Sequence, residues 1–451
     1  MQKTICALAS GQSAGAVALI RLSGAEALSI TRRITRRDKP FVPRAQTLCT
    51  LYDGSAPLDK ALVTFFQNPH SFTGEDVVEF AVHGSPYIKG RLLEILCENG
   101  AIPASRGEFS QRAFFNGKMD LLEAQGLCDL ISSGNKAAHR LAMSALDGKL
   151  SGYVDKFKLR LTELLAQIEV RLDDVDEEMT PLSEDFIRGE IDFLLDSVKK
   201  LADTFSIGKY IKEGLKVAIV GSPNSGKSSL LNALVGFDRA IVSDICGTTR
   251  DTVEETLEIN GQKIILTDTA GIREHALDPA EQEGMRRSRK AMEKADVIIF
   301  VLDSSRPICE EEYLLWQDIR SAGKRVLIVL NKRDCASLSD IDLEGADACQ
   351  QISLSCKTGE GLSLLQEALT ADLQQHAEQD GLMISNLRQY EALLRAQTEL
   401  ESALIRLSED AGGEIYAEHL RSALNYLKDL IGEVTPDDVL GIIFSKFCMG
   451  K

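Results

Sequence analysis

Residues 215–234 read "LKVAIVGSPNSGKSSLLNAL": an apolar run, a loop with two glycines and a helix-competent run, in that order. A short run that is apolar on almost every position is what a strand buried on both faces looks like. Gly221 to Ser228 fit G-x-x-x-x-G-K-[ST], and a strand before it with a helix after it is the context that this motif requires. The physics is specific. Backbone N–H groups of a Gly-bearing loop, together with the positive end of the following helix, cradle phosphates. Lys227 reaches the β and γ phosphates and the Ser228 hydroxyl binds magnesium. Asn224, Ser225, Gly226 and Ser229 complete the predicted phosphate contacts on the loop and first helical turn.

Working outward, the runs "KIILTDTAG" (263–271), "DVIIFVLDSS" (296–305), "KRVLIVLNKRD" (324–334) and "QQISLS" (350–355) alternate with helical stretches. That alternation predicts a mostly parallel sheet with helices on its faces. Each run ends in polar residues with a use. In "DTAG", Asp268 can hold the magnesium through water and the Gly271 amide can face the γ phosphate, with Thr269 and Ala270 between them. "DICGTTRD" (244–251) offers Thr249 as a second hydroxyl ligand of the magnesium. "NKRD" places Asn331, Lys332 and Asp334 at a strand end, where the Asp334 carboxylate accepts two hydrogen bonds from a guanine edge; adenine offers no matching pair of donors. "SCK", Ser355 to Lys357 with Cys356 between, supplies the last base-contacting loop. The order and spacing predict a GTPase.

What drives hydrolysis is less direct. The position after D-x-x-G, where Ras-like GTPases carry a water-orienting Gln, is Ile272 here. One candidate device is Asn224, whose carbonyl oxygen can help hold a monovalent cation beside the β and γ phosphates, where an arginine finger otherwise places charge. Glu281 would then orient the water. Read from spacing alone, the favoured roles are plainer: loop capping for Asn224 and a solvated surface carboxylate for Glu281.

The whole chain of 451 residues is too long for one ordinary core. Residues 1–118 alternate strand-like runs ("TICALAS", "AVALIRLS", "ALVTFF", "DVVEFAV") with helix-like stretches near 86–98 and 107–116, predicting a compact α/β or α+β domain. Residues 119–210 turn to long helices, with Leu161, Leu164, Leu165, Ile168 and Leu172 on one face. The strand-helix domain spans 211–375, and 376–451 is helical again. A strand-helix domain is thus inserted between two helical segments expected to pack as one bundle.

Composition bounds the partners. Net charge is −17, against the needs of a nucleic-acid coat, although residues 1–118 carry 14 Lys/Arg against 10 Asp/Glu. RNA contact is therefore expected to be local or shared with a basic partner. Ten Cys without a C-x-x-C pair and six His without H-E-x-x-H argue for reduced thiols in a cytoplasmic setting, and against a disulfide framework or a zinc site. Apolar runs such as "VIIFVL" fall far short of the ~20 residues of a membrane span. Gln12, Gly15 and Arg21 interrupt the N-terminal run, which speaks against a secretory signal. Cys448, near the end of "GIIFSKFCMGK", has the offset of a prenylation signal but is followed by Gly450 and Lys451, which such signals do not use.

With "GSPNSGKSSLLNAL", "DICGTTRD", "DTAGIRE", "NKRD" and the terminal "FCMGK" in hand, the chain closely resembles the MnmE/TrmE family of tRNA-modification GTPases. The likeness extends through "FTGEDVVEF" and "GEFSQRAFFNGKMDL". It implies an N-terminal α/β folate-binding domain that forms a homodimer, a discontinuous helical bundle, and an inserted Ras-like P-loop GTPase domain. It also implies potassium-activated GTP hydrolysis. Asn224 matches the family's potassium-binding asparagine, and Ser243, Ile245 and Thr248 fall in the loop that completes the ion's shell, with Asp244, Cys246 and Gly247 beside the nucleotide. Glu281 aligns with the water-orienting glutamate, counted three residues before Gly284. For the folate, 5-formyltetrahydrofolate or a related tetrahydrofolate, the resemblance implies Arg21, Glu79, Lys118 and Lys451. A carboxylate suits pterin N–H donors and basic groups suit a glutamate tail. Cys448 would lie near the one-carbon unit, as a reactive thiol or as buried packing. The implied chemistry adds an aminomethyl or carboxymethylaminomethyl group to the wobble uridine of certain tRNAs, in a heterotetramer with a flavin-dependent partner of the MnmG/GidA type.

Two other classes compete. A ribosome-assembly GTPase of the Era or Der kind would carry a basic KH-like segment after the GTPase domain, whereas residues 376–451 are acidic, helical and without a G-X-X-G loop. A one-carbon transferase with a merely regulatory GTPase domain is the third reading.

Overall fold

The computed structural model describes residues 3–172, 182–237, 255–267, 289, 291–335, 343–378 (372–378 as backbone only), 382–409, 412–447 and 450. By packing, the chain forms two compact units. One holds Met1–Ile131, Ala145–Leu195 and Arg395–Lys451; the other holds Ser132–Ser144 and Asp196–Leu394.

The first unit is built on β1 (Ile5–Leu8), β2 (Val17–Ser23), β3 (Gln46–Asp53), β4 (Ala56–Phe66), β5 (Val77–His83) and β6 (Ile102–Pro103), in the sheet order β3-β4-β5-β2-β1-β6. All pairings are antiparallel except β1 with β6. Strand alternation sorts the two faces. Ile20 and Leu22 of β2 join Val63 and Phe80 in a core that the helices Ala27–Thr35 and Pro86–Glu98 close with Ile30 and Leu92. Arg21 therefore lies on the opposite face, directly across from Glu79 in the β2–β5 register. β3 is absent from the sequence expectations because Leu48 and its neighbours point partly outward on a sheet edge, so no apolar run marks it.

The helical part of this unit pairs Lys149–Leu172 with Gly413–Ile431. Leu161, Leu164, Leu165 and Ile168 are buried as expected, whereas Leu172, the last residue of its helix, is 41% exposed. The helix Asp437–Ser445 brings Phe444 and Leu440 against Leu121 and Ala124.

The second unit carries β7 (Leu215–Val220), β8 (Glu255–Ile259), β9 (Gln262–Thr267), β10 (Val297–Asp303), β11 (Arg325–Asn331) and β12 (Gln350–Ser353) in the order β12-β11-β10-β7-β9-β8. It is parallel throughout except for the β8–β9 hairpin. Both faces are buried, as the unbroken apolar runs require. Ile299 and Val301 enter one core, and Ile298, Phe300 and Leu302 the other. The C-terminal ends of β7 and β10–β12 consequently lie on one rim, the edge at which open parallel sheets bind ligands.

Candidate functional site

On that rim β7 ends at Val220 and the helix Lys227–Phe237 begins after a six-residue loop. The loop turns back through two left-handed positions, Asn224 (φ 63°) and Gly226 (φ 100°). Asn tolerates that region; at the second position a Cβ would also collide with the Asn331 amide nitrogen, so only glycine fits. A Cβ at Gly221 would strike the carbonyl of Val301 on β10. Both motif glycines thus mark close approaches of backbone.

Lys227 begins the helix and its Nζ donates to the carbonyls of Gly221 and Ser222, at 2.9 and 2.7 Å. Burial pushes this ammonium below its ordinary pKa, and the charge of Glu312 pulls the other way. A cation held only by neutral dipoles at the mouth of an amide-lined loop retains its charge for an anion. The Ser225 side chain is fully buried and its Oγ has no hydrogen-bond partner among the described residues. Ser228 and Ser229 stand in the first turn of the helix.

Asn331 closes β11 and joins three motifs. Its Nδ2 donates to the Ser225 carbonyl at 3.0 Å, and its Oδ1 accepts the amides of Lys332 and Cys356 at 2.8 and 3.2 Å. Asp334 is oriented by the Ser355 hydroxyl, which donates to its Oδ1 at 2.7 Å, while Lys357 Nζ stands 4.0 Å from Oδ2. The Ser355 hydrogen bond is the main cause that holds the Asp334 carboxyl below the usual carboxylate range. Lys332 donates to Asp303 at 2.6 Å. Burial pushes the Cys356 thiol up to about 11, which leaves it protonated and unreactive at neutral pH. Phosphate loop, "NKRD" and "SCK" are therefore neighbours in one unit.

The first unit brings together part of the other candidate set. Arg21 reaches Glu79 Oε1 through Nε and Nη2 at 2.9 and 2.7 Å, so Oε2 keeps its accepting capacity. The guanidinium lies over the rings of Phe72 and Phe109, 5.4 and 5.7 Å from their centroids. Its Nη1 points at the Gly450 carbonyl, 3.5 Å away, and Gly450 (φ 84°) sits so close to Leu8 and Ala9 that a Cβ would collide with the Leu8 carbonyl. The Lys118 stem passes Gly74, where a Cβ would come within 3.3 Å of its Cγ and Cδ, and its side chain is exposed. An accepting carboxylate oxygen beside basic groups fits the chemistry of a pterin with an acidic tail.

Several expected residues lie outside the described ones: Ser243, Asp244, Ile245, Cys246, Gly247, Thr248, Thr249, Asp268, Thr269, Ala270, Gly271, Glu281, Cys448 and Lys451. Among the described residues no group of three or more His, Cys, Asp or Glu side chains is arranged to hold a metal, and no helix is long and apolar enough to cross a membrane. Sequence reading missed the loop residue Ser222 with Glu312 and Arg306, which hold it, Asp303 beside Arg306, and Phe72 and Phe109, which flank Arg21. Only Glu312 had a local signal, as the third residue of a helix that it caps.

Residues 4–118 match the family model described as GTP-binding protein TrmE N-terminus, and residues 121–448 match the MnmE helical domain. Relatives named tRNA modification GTPase MnmE are similar from end to end. One from Aquifex aeolicus is 38% identical over 453 residues, covering 100% of this chain and 100% of its own length. One from Acinetobacter baumannii is 40% identical over 454 residues, covering 100% and 99%. One from Parabacteroides distasonis is 38% identical over 461 residues, covering 99% and 100%. A crystal structure of an Era variant from Aquifex aeolicus, bound to GDP and a fluoroaluminate, shares 28% identity over 41% of this chain and 66% of that one, with a TM-score of 0.28.

Proposed function

The chain belongs to the MnmE family of tRNA modification GTPases, and from that premise we propose that it binds and hydrolyses GTP at the Gly221–Ser228 loop in the course of modifying tRNA. The observation that carries this reading is the Asn331 side chain, which ties the phosphate loop to the strand end bearing Asp334. That link supports a reading in which the loop cradles the phosphates and Asp334 accepts from guanine. The Era or Der reading is not favoured, because the relatives that match the chain from end to end carry the tRNA-modification name.

The finer assignments extend that proposal. Ser228 and Thr249 hold a magnesium ion, whose charge shields the phosphates. Asn224 with Ser243, Ile245 and Thr248 holds a potassium ion, which supplies positive charge beside the β and γ phosphates where an arginine finger otherwise does. Glu281 orients the water. In the first unit Arg21, Glu79, Lys118 and Lys451 bind 5-formyltetrahydrofolate or a related tetrahydrofolate, the source of a one-carbon unit, with Cys448 beside it. Working in the cytoplasm as a homodimer joined by a flavin-dependent MnmG/GidA-type partner, the protein adds a carboxymethylaminomethyl or aminomethyl group at the 5-position of the wobble uridine.

The test compares GTP hydrolysis in potassium and in sodium at equal ionic strength. Faster turnover in potassium, lost in Asn224→Ala, is the expected result. Equal rates in the two salts remove the potassium assignment, and no hydrolysis in either removes the GTPase reading.

A further inference from the structure

Beside the phosphate loop lies a buried carboxylate that none of the assignments above uses. Glu312 is 1% exposed. Its Oε2 accepts the Cys309 amide at 3.0 Å, capping the helix Glu310–Ser321, and its Oε1 accepts the Ser222 hydroxyl at 2.6 Å. Capping accounts for the first bond only. The second reaches into the loop itself, at the residue whose carbonyl receives Lys227. A negative charge buried against a triphosphate cradle has the wrong sign for the ligand.

Arg306 answers it. The guanidinium donates to Glu312 Oε1 and Oε2 at 2.8 and 3.2 Å, and to the Ser222 hydroxyl at 3.0 Å. Its Nε stands 3.9 Å from Asp303, whose charge is already met by Lys332 at 2.6 Å. The Ser222 hydroxyl is thus fixed as donor to Glu312 and acceptor from Arg306, which sets the direction of the adjoining loop carbonyl. We propose that Arg306 is a positioning residue of the phosphate site, which holds the loop through Ser222 and Glu312 while cancelling the Glu312 charge. Its importance then grows with the number of negative charges on the bound nucleotide. The proposal rests on the reading of Gly221–Ser228 as the GTP site.

The experiment titrates the full-length chain with GTP and with GDP, in EDTA so that no metal masks the charge count. Arg306→Gln leaves Glu312 unneutralised and is expected to weaken GTP about fivefold more than GDP. Glu312→Gln leaves the guanidinium in surplus and shifts the GTP-to-GDP ratio the opposite way. Arg306→Lys and the double variant Arg306→Gln with Glu312→Gln both return the ratio to within about twofold of the unmodified chain. Equal loss of both nucleotides in the two single variants, or a ratio that moves the same way in both, makes the pair merely structural and overturns the proposal. Lys227→Ala separates the failures: if it binds GTP as tightly as the unmodified chain does, the site reading itself falls and takes the proposal with it.

Discussion

Lys227 and Arg21 each stand at the mouth of a proposed site, one in each unit, but they are held differently. Lys227 is gripped by two backbone carbonyls at 2.9 and 2.7 Å, whereas Arg21 is paired with the Glu79 carboxylate at 2.7 Å and laid over two phenyl rings. Carbonyl dipoles leave the ammonium's charge unspent, so the loop attracts an anion. A carboxylate consumes most of the guanidinium's charge, so the N-terminal pair is close to neutral and offers an oxygen that accepts N–H groups. One site is made of backbone geometry and the other of side-chain chemistry.

That contrast is most severely tested at Gly226. Gly226→Ala adds one methyl group to a left-handed residue and drives it into the Asn331 amide, so GTP affinity is expected to fall by about a hundredfold or more, through strain and the lost Asn331 bond. A titration that shows near-normal affinity would mean that backbone geometry is not what makes this site. Asp334→Asn should cost between about tenfold and a hundredfold in GTP affinity, since a charge-assisted pair is lost. The amide turns an acceptor into a donor, so xanthosine triphosphate should gain; a variant still preferring GTP would place the guanine elsewhere.

In the first unit the sensitive change is chemical. Glu79→Gln keeps shape but replaces one accepting oxygen by a donor, and calorimetry with 5-formyltetrahydrofolate should show about tenfold weaker binding. Unaltered affinity would detach the folate from Glu79. The smallest effect belongs to Ser355→Ala. In the proposed site the carboxylate of Asp334 would be the form that accepts from guanine, and its folded pKa lies below the unfolded value, chiefly because of Ser355. Its contribution is complete above the unfolded value and is lost as pH falls through the lower, folded one. Removing the hydroxyl raises the folded value, so GTP binding should fail at a higher pH on acidification, with little change at neutrality.

The same contrast explains what could be read without coordinates. Loop, "NKRD" and "SCK" are contiguous motifs, and contiguity is what a sequence displays; β7, β10 and β11 follow from runs buried on both faces, and the edge strand β12, with Gln350 and Gln351 exposed, from its place before "SCK". β8 was overlooked although its turn, Asn260-Gly261 with both residues at positive φ, is a hairpin signal. Arg21 and Glu79 are 58 positions apart and meet only through strand register, so resemblance alone suggested them. Arg306 and Glu312 lie 84 and 90 positions from Ser222 and belong to no motif; only tertiary packing unites them.

The helices Lys149–Leu172 and Gly413–Ile431 pack together within one unit, with the other unit's chain intervening between them in sequence. A ribosome working from the N-terminus releases Leu161, Leu164, Leu165 and Ile168 long before their cover is synthesised. During that interval an oily stripe is open to chaperones or to stray association, and the nascent chain's hazard is greatest just while its inserted half is being translated.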